Sequence, residues 1–243
     1  MTANTPGRAR MDLFERQWQT YRSVVDHDWM EHRGITAACS GALESWMHEH
    51  PDRRGTARLL DLGCGDLARM APVFASLPLG GYLGVDLTEQ VLPMARTALG
   101  PVRFPVEFRH DDVREFVRES GEDFDLVHAA LVLHHLSDDA KGDFLAELRP
   151  RVRPGGCFIW ADVFREPGES REQYAQRYAT RIRRGWTGID PDARETLVTH
   201  MSTYDFPADR VAIVRQAELA GWRWHWVWQG QHRAEAVALL TVA

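Results

Sequence analysis

A short glycine-containing stretch, LLDLGCGD at residues 59–66, is the first place where residue types and spacing indicate chemistry. Its apolar beginning predicts the end of a buried strand, and the GCG that follows supplies a tight turn. Gly63 and Gly65 have no Cβ, so they can adopt positive φ and let a ligand approach the backbone closely. A helix is expected from about Asp66, and its free N–H groups would face the same space. The stretch therefore predicts a nucleotide pocket.

The class of nucleotide depends on Asp61, two positions before Gly63. A carboxylate there suits a ligand that presents an ammonium group, and it suits a pyrophosphate over the turn poorly. The run GCGDLA, ending at Ala68, also satisfies the G-x-G-x-x-G/A pattern of dinucleotide-binding folds. The glycine turn by itself leaves both nucleotide classes open.

The elements around this turn alternate between strand and helix, which indicates right-handed crossovers and a parallel sheet covered on both faces. An RPGG turn at residues 153–156 leads into the fifth strand. The predicted strands are residues 57–62, 81–86, 106–110, 123–129 and 157–163, and the predicted helices between them are residues 66–77, 89–99 and 138–149.

Helical patterns outside this alternation predict two additions to the sheet. Residues 1–56 are interpreted as an N-terminal helical cap, and residues 57–243 as the nucleotide-binding domain. Two helices at about 165–206 form a candidate lid within that domain. A helix over 208–220 and two strands, 222–228 and 236–242, close the chain with a hairpin.

With these elements in this order, LLDLGCGD resembles the first motif of the class I S-adenosylmethionine (SAM) methyltransferases, in which an acidic residue precedes the G-x-G turn. That family often has a third glycine where this chain has Leu67. The resemblance implies a doubly wound, Rossmann-like α/β fold with a seven-stranded sheet, mostly parallel with an antiparallel last strand. It also implies SAM as the cofactor.

Candidate cofactor residues follow the strand ends. Asp86 closes the second strand, where its carboxylate can accept both ribose hydroxyls, or alternatively cap the helix after Thr88. The resemblance implies that Asp112, with Asp111 as the competing candidate, accepts the adenine amino group. It also implies that strand-end backbone meets the methionine part of SAM. The predicted cofactor-binding residues are Asp61, Gly63, Cys64, Gly65, Asp86, Leu87, Asp112, Val113, Ala129 and Tyr21.

The fourth strand ends in HAALVLHHL, and its histidine pair sets the candidate acceptor side. His134 is the predicted catalytic residue, a general base, because imidazole takes up a proton near neutral pH; a packing role is the alternative. His27 and His32 are predicted near the cofactor mouth. Arg165 could grip a carboxylate. The predicted substrate-lining residues are Trp18, His135, Asp162, Arg165, Trp186 and Tyr204.

Composition narrows the possible partners and location. The formal charge of −6 offers no global basic field for nucleic acid, and no apolar run approaches the roughly 20 residues that cross a bilayer. Three widely spaced cysteines, without paired metal-ligand spacing, predict a reducing cytoplasm and no metal site. The oligomeric state is left open.

Methyl transfer from SAM to a small-molecule acceptor is the function these features favour, with oxygen, nitrogen or sulfur as the accepting atom. Another SAM-using transferase or a non-catalytic SAM-binding protein would keep the same cofactor residues. An NAD-dependent oxidoreductase shares the glycine turn and Asp86, but Asp61 and the closing hairpin count against it.

Overall fold

The computed structural model describes residues 19–242, so the predicted role of Trp18 lies outside the described residues. One sheet forms its centre, with strand order β3-β2-β1-β4-β5-β8-β7 and the short β6 paired to the end of β5. The strands are β1 (Arg58–Leu62), β2 (Gly81–Asp86), β3 (Val106–His110), β4 (Phe124–Ala130), β5 (Val152–Arg165), β6 (Ala208–Asp209), β7 (Trp222–Gln229) and β8 (Glu235–Val242).

Strand direction confirms the expected fold class. β1 to β5 run parallel, whereas β8 lies antiparallel between β5 and β7. The hairpin places β8 next to the central strands because its residues, EAVALLTV, are apolar enough to be buried on both faces. The mostly parallel seven-stranded sheet with an antiparallel last strand is therefore confirmed, and β6 adds a two-residue pairing at the end of β5.

Helices cover both faces of the sheet, and two buried clusters form the core on its two sides. Arginines and other polar residues on the outer helix faces meet solvent, as expected of amphipathic helices. The helices are α1 (His32–Glu49), α2 (Ala71–Ser76), α3 (Leu92–Leu99), α4 (Val113–Glu119), α5 (Asp138–Leu148), α6 (Arg171–Gly185), α7 (Pro191–Tyr204) and α8 (Arg210–Leu219).

A third apolar cluster joins the candidate lid, α6 and α7, to the helical residues 19–26. Val24 is buried in this cluster with Tyr178 and Trp186. Ser170 forms a capping box with Gln173, which starts α6 at a defined residue. The cap and the lid thus pack on each other, while their roles in covering a ligand stay predictions.

The segment after the glycine turn differs from its prediction, because the helix begins at Ala71 instead of about Asp66. Leu67 has a φ of 58°, in the left-handed region that interrupts a right-handed helix. The Asp66 side chain accepts a hydrogen bond from the backbone N–H of Ala68 at 3.1 Å, which favours a local turn. This strained residue stands where the resembling family often has glycine.

Candidate cofactor and acceptor sites

A cavity of about 290 Å³ opens at the carboxyl ends of β1, β2 and β4. Open α/β sheets bind ligands at this edge, where the strand order reverses. Six of the predicted cofactor residues line it: Tyr21, Asp61, Gly63, Cys64, Gly65 and Asp86. Further lining residues are His32, Ile35, Thr36, Asp66, Leu67, Ala68, Arg69, Met70, Thr88, Val91, His128, Ala130, Leu131 and Val132.

Asp86 connects the end of β2 to the glycine turn. Its Oδ2 accepts a hydrogen bond from the backbone N–H of Gly65 at 2.8 Å, and its Oδ1 accepts one from Thr88 N–H at 2.8 Å. The alternative role as a helix N-cap is wrong, because Thr88 is the N-cap of the short 3-10 helix that follows and that helix has no side-chain cap; Asp86 instead stabilises the turn before it. Each carboxylate oxygen keeps a second lone pair, so Asp86 can still accept from the hydroxyls of a ligand.

The two turn glycines meet different surroundings. A Cβ on Gly63, whose φ is +67°, would lie 2.6 Å from Cγ2 of Val132, so this position requires glycine. A Cβ on Gly65, whose φ is +53°, would meet nothing within 4 Å. The turn therefore packs against the segment that follows β4 at Gly63 and is open at Gly65, where a ligand can approach.

Asp61 lies 2% exposed at the floor of the cavity, between two buried side chains. Tyr82 donates its hydroxyl to Oδ2 at 2.8 Å, and Nδ1 of His128 lies 2.7 Å from Oδ1. Burial opposes a charge on His128, but the Asp61 carboxylate outweighs burial and raises the His128 pKa to about 10. These two contacts fix the orientation of the Asp61 carboxylate.

His32 brings an uncharged imidazole to the same cavity from the first turn of α1. Its side chain is 7% exposed, and burial lowers its pKa to about 4. Its buried Nδ1 has no hydrogen-bond partner among the described residues. Nearby, the Arg69 guanidinium donates to the carbonyl of Val25 at 2.6 Å, which joins the segment after the glycine turn to the helical residues 19–26.

Four predicted cofactor residues lie outside the lining of this cavity. Leu87 is 65% exposed, and Ala129 is fully buried in β4, where the next residue, Ala130, lines the cavity instead. Asp112 is the N-cap of α4 and accepts from Arg114 N–H at 2.8 Å, as one sequence-based interpretation allowed. Val113, the first residue of α4, packs against the core. Their contacts with adenine stay predictions.

His134, the predicted base, lies in a single 3-10 turn after β4 and pairs with Asp162. Its Nδ1 is 2.6 Å from Oδ1 of Asp162, and its backbone N–H donates to Oδ2 at 3.1 Å. Burial opposes protonation, but the Asp162 charge and hydrogen bond raise the His134 pKa. Nε2 is the ring nitrogen left for exchange with a ligand.

Asp162 is only 1% exposed, so the structure places it behind His134 rather than on an open substrate surface. The indole N–H of Trp160 also donates to it, at 2.9 Å. Arg165 likewise has partners within the fold: Asp138, the carbonyl of Pro207 and the carbonyl of Glu169. Gripping a substrate carboxylate would require Arg165 to exchange one of these partners.

The other predicted substrate residues differ in exposure. Trp186 is buried and stacks on Trp29 with ring centroids 5.5 Å apart. Tyr204 is 59% exposed at the end of α7. The side chain of His135 is 48% exposed and lies beside Asp205, with 3.5 Å between Nδ1 and Oδ1. The structure therefore groups His135 with His134, whose ring centroids are 4.2 Å apart, and packs Trp186 against Trp29.

Comparison with known proteins decides between the nucleotide classes left open by the glycine turn. A family model described as a methyltransferase domain matches residues 60–158, the stretch from β1 through the start of β5 that carries Asp61, the glycine turn and Asp86. Residues 60–158 therefore form a methyltransferase domain of the class I, SAM-dependent family. SAM is accordingly its cofactor.

Curated relatives of this methyltransferase act on different acceptors. A ubiquinone biosynthesis O-methyltransferase of Ruegeria pomeroyi is 28% identical over 174 residues, covering 69% of this chain and 66% of that protein. An N-terminal Xaa-Pro-Lys N-methyltransferase 1 of Ailuropoda melanoleuca is 30% identical over 128 residues, covering 52% and 56%. The methyltransferase thus spans about half to two thirds of the relatives it matches.

Solved structures support the fold. Magnesium protoporphyrin IX methyltransferase from Synechocystis, with bound SAH, has a TM-score of 0.56 at 14% identity and covers 87% of this chain and 86% of its own. The cyclopropane synthase MmaA2 from Mycobacterium tuberculosis has a TM-score of 0.51 at 16% identity, covering 70% and 57%. Within residues 19–242, none of the helices has the length and apolar character needed to span a membrane.

His128 is a residue of the methyltransferase's cavity that the sequence analysis did not single out, and it contacts Asp61 directly. A histidine inside the run FDLVHAA is unusual, because a strand buried on both faces is otherwise apolar. That departure was the available signal. Its partner Asp61 lies directly opposite it on the neighbouring strand β1.

The positions of two carboxylates in the cavity fit the chemistry of SAM. Carboxylates stand at two separate points of the cavity, Asp61 at the end of β1 and Asp86 at the end of β2, with the open Gly65 between them. A ligand with a cation at one end and hydroxyls further along satisfies both carboxylates. A pyrophosphate would instead face two anions.

Proposed function

We propose that this methyltransferase transfers a methyl group from SAM to a small-molecule acceptor. The observation that carries the proposal is the cavity of about 290 Å³ whose walls include both Asp61 and Asp86. Its position at the carboxyl ends of the strands is where an acceptor can meet a cofactor bound over the glycine turn. The formal charge of −6 disfavours nucleic acid as the acceptor.

Binding and orientation are the main tasks of the protein in such a reaction. When bound, SAM supplies a methyl group that its sulfonium already makes electrophilic. Asp61 holds the ammonium group of the methionine part, and Asp86 accepts the ribose hydroxyls. Gly65 allows close approach to the turn. Tyr21 and His32 close the cavity from the N-terminal side.

The lid helices α6 and α7 cover the acceptor side and exclude water from it. Their apolar contacts with Trp29 and Leu131 bring the lid close to residues that border the cofactor cavity. Leu131 has a φ of 55°, so the chain turns sharply where β4 leaves the sheet. Because the lid packs in an apolar cluster of its own, it can move to admit an acceptor without opening the central core.

Oxygen is the acceptor atom that the geometry supports best. Asp162 holds Nδ1 of His134 and leaves Nε2 for proton transfer, which an oxygen nucleophile needs more than an amine or a thiol does. The ubiquinone biosynthesis O-methyltransferases among the relatives support the same choice. A protein N-terminus is the second candidate acceptor, because the Xaa-Pro-Lys N-methyltransferases are also relatives.

The replacement His134→Gln tests the base. We expect turnover to fall by about 10²–10⁴-fold, with SAM affinity nearly unchanged, since glutamine can still donate to Asp162 but cannot accept the proton. Because Asp162 raises the His134 pKa, activity of the original protein should rise with pH through a value above the ordinary 6.5. The variant should lack that rising limb in a pH profile of kcat/KM.

His200→Gln is the matched control, since His200 is exposed on α7 and faces His135 with ring centroids 6.1 Å apart. It should keep both the rate and the pH profile. Normal turnover in His134→Gln would assign His134 to packing, and the acceptor would then need no protein base.

Calorimetric titration with SAM, S-adenosylhomocysteine and NADH tests the cofactor, and a coupled assay tests the acceptor class. Micromolar binding of the first two alone, roughly −8 kcal/mol, is the expected result.

In the coupled assay, a panel of phenols and quinols should yield S-adenosylhomocysteine, whereas a peptide beginning Xaa-Pro-Lys should not. Methylation of the peptide in preference to the panel would contradict the small-molecule proposal. Cofactor binding without turnover on any acceptor would favour a binding protein.

A further inference from the structure

Two histidines and an aspartate lie close together where the end of the lid contacts the segment that follows β4. His134 and His135 lie in the 3-10 turn after β4, and Asp205 directly follows α7. Oδ1 of Asp205 is 3.9 Å from Nε2 of His134 and 3.5 Å from Nδ1 of His135. One donor atom from each residue lies within 4.8 Å of the others.

We propose that His134, His135 and Asp205 form a binding site for a divalent transition-metal ion of the Zn²⁺ or Co²⁺ class. Imidazole nitrogens select such ions, whereas Mg²⁺ and Ca²⁺ prefer all-oxygen sites. Ligand atoms around an ion at about 2.1 Å lie roughly 3.0–3.5 Å apart. The His135–Asp205 separation lies within this range, whereas the His134–Asp205 separation of 3.9 Å exceeds it and all three atoms lie within 4.8 Å of one another, so side-chain rotations are needed to bring the three atoms to one ion.

Asp162 prepares His134 for ligation. It binds Nδ1 at 2.6 Å, which directs Nε2 toward Asp205 and fixes the ring orientation. A carboxylate on the outer nitrogen of a ligating histidine is the usual second interaction at metal sites, where it orients the ring and raises its basicity. Asp162 is itself fixed by Trp160 and by the backbone N–H of Val163.

The unsatisfied oxygen of Asp205 supports the same conclusion. Its Oδ1 is buried and has no hydrogen-bond partner among the described residues, although a buried acceptor without a partner is costly. The nearest ammonium, that of Lys141, donates to the carbonyls of Leu136 and Phe206. A cation between the histidines and Asp205 would satisfy this oxygen directly.

Access and the ligand count indicate an open site rather than a closed structural one. The His135 side chain is 48% exposed, so an ion can enter from solvent. Three protein ligands leave positions for water, as in zinc sites that exchange ligands. Cys39, Cys64 and Cys157 are buried elsewhere and offer no competing thiolate here. The sequence predicted no metal because Asp205 is remote from the histidine pair along the chain.

Ion binding would have two consequences for the protein. It would join the end of α7 to the turn after β4, where Phe206 N–H already donates to the carbonyl of His134 at 2.6 Å. It would also occupy the Nε2 lone pair that a base requires. The metal-free form is therefore the one in which His134 can accept a proton, and metal binding is measured independently of methyl transfer.

Titration of the untagged, chelator-treated full chain with Zn²⁺ by calorimetry, and with Co²⁺ by visible absorption, tests the site. We expect one ion per chain, a dissociation constant at or below the micromolar range, and a higher Tm with excess Zn²⁺. His135→Ala and Asp205→Asn should each weaken binding by at least about 10–100-fold. His225→Ala, which removes an exposed histidine on β7, should bind as the original chain does.

Both site variants change residues at the protein surface or near it, and their Tm in chelator should match that of the original chain within a few degrees. Absence of stoichiometric binding by the original chain would overturn the proposal. If His135→Ala and Asp205→Asn bound Zn²⁺ as tightly as the original chain does, the proposal would also be overturned, because the ion would then occupy other residues. Neither result would bear on cofactor binding at the glycine turn.

Discussion

Replacing Asp86 with alanine should lower the affinity for SAM by at least about 100-fold. A hydrogen bond to a charged group contributes about 1.5–3 kcal/mol, and the proposed binding mode gives Asp86 two from the ribose. The variant also loses the 2.8 Å bond from Gly65 N–H, which ties the glycine turn to the end of β2. Calorimetric titration with SAM and with S-adenosylhomocysteine measures the change, and both ligands should be affected alike.

Asp143→Ala is the matched control for this experiment. Asp143 is an exposed aspartate on α5, and no cofactor contact is predicted for it. It does not line the cofactor cavity. The control should bind SAM normally, and both variants should keep the Tm within a few degrees. Unchanged affinity in Asp86→Ala, with the fold intact, would remove the ribose assignment.

The sheet was predictable because its signals are local. The strands β2 and β3 have the predicted bounds, since each is a short run ended by turn residues. The glycine turn was equally readable, because a positive φ at Gly63 and at Gly65 is a property of the residue type. Asp61 and Asp86 followed from the same pattern, one before the turn and one at the next strand end.

The unpredicted features depend on contacts between residues remote in sequence. Leu67 adopts a left-handed φ that its type disfavours, so the late start of α2 could not be read from local propensity. Asp162 was expected to face substrate, but its carboxylate is enclosed because β5 places it against His134. The pairing of Asp61 with His128 arises only when β1 and β4 align. Periodicity predicts which elements form, whereas such pairs require the register.

Replacing Asp61 with asparagine should destabilise the protein by about 3–5 kcal/mol near neutral pH, because it leaves the buried His128 without its anion. Asp61 and His128 are each 2% exposed, so water cannot replace the lost partner. The cofactor should also bind at least about tenfold more weakly, since its ammonium group loses the carboxylate. Chemical unfolding and SAM titration measure the two effects separately.

The pH dependence of stability distinguishes a charged pair from a simple hydrogen bond. Despite burial, Asp61 raises the His128 pKa to about 10 in the folded protein, above its ordinary value near 6.5 in the unfolded chain. The pair's contribution to the free energy of unfolding is therefore complete below about pH 6.5 and is lost as pH rises through about 10. Asp61→Asn should abolish this decline between the two values.

Tyr82→Phe provides the control, because it removes the hydroxyl bonded to Asp61 at 2.8 Å and leaves the charged pair in place. Its expected cost is about 1 kcal/mol, or somewhat more for a bond to a charged acceptor, and its pH dependence should resemble that of the original chain. An unchanged decline in Asp61→Asn would show that other groups titrate there and that His128 is neutral in the folded state. Asp61 would then act on the cofactor as an anion that no imidazolium offsets, so its replacement should weaken SAM binding more than it lowers stability.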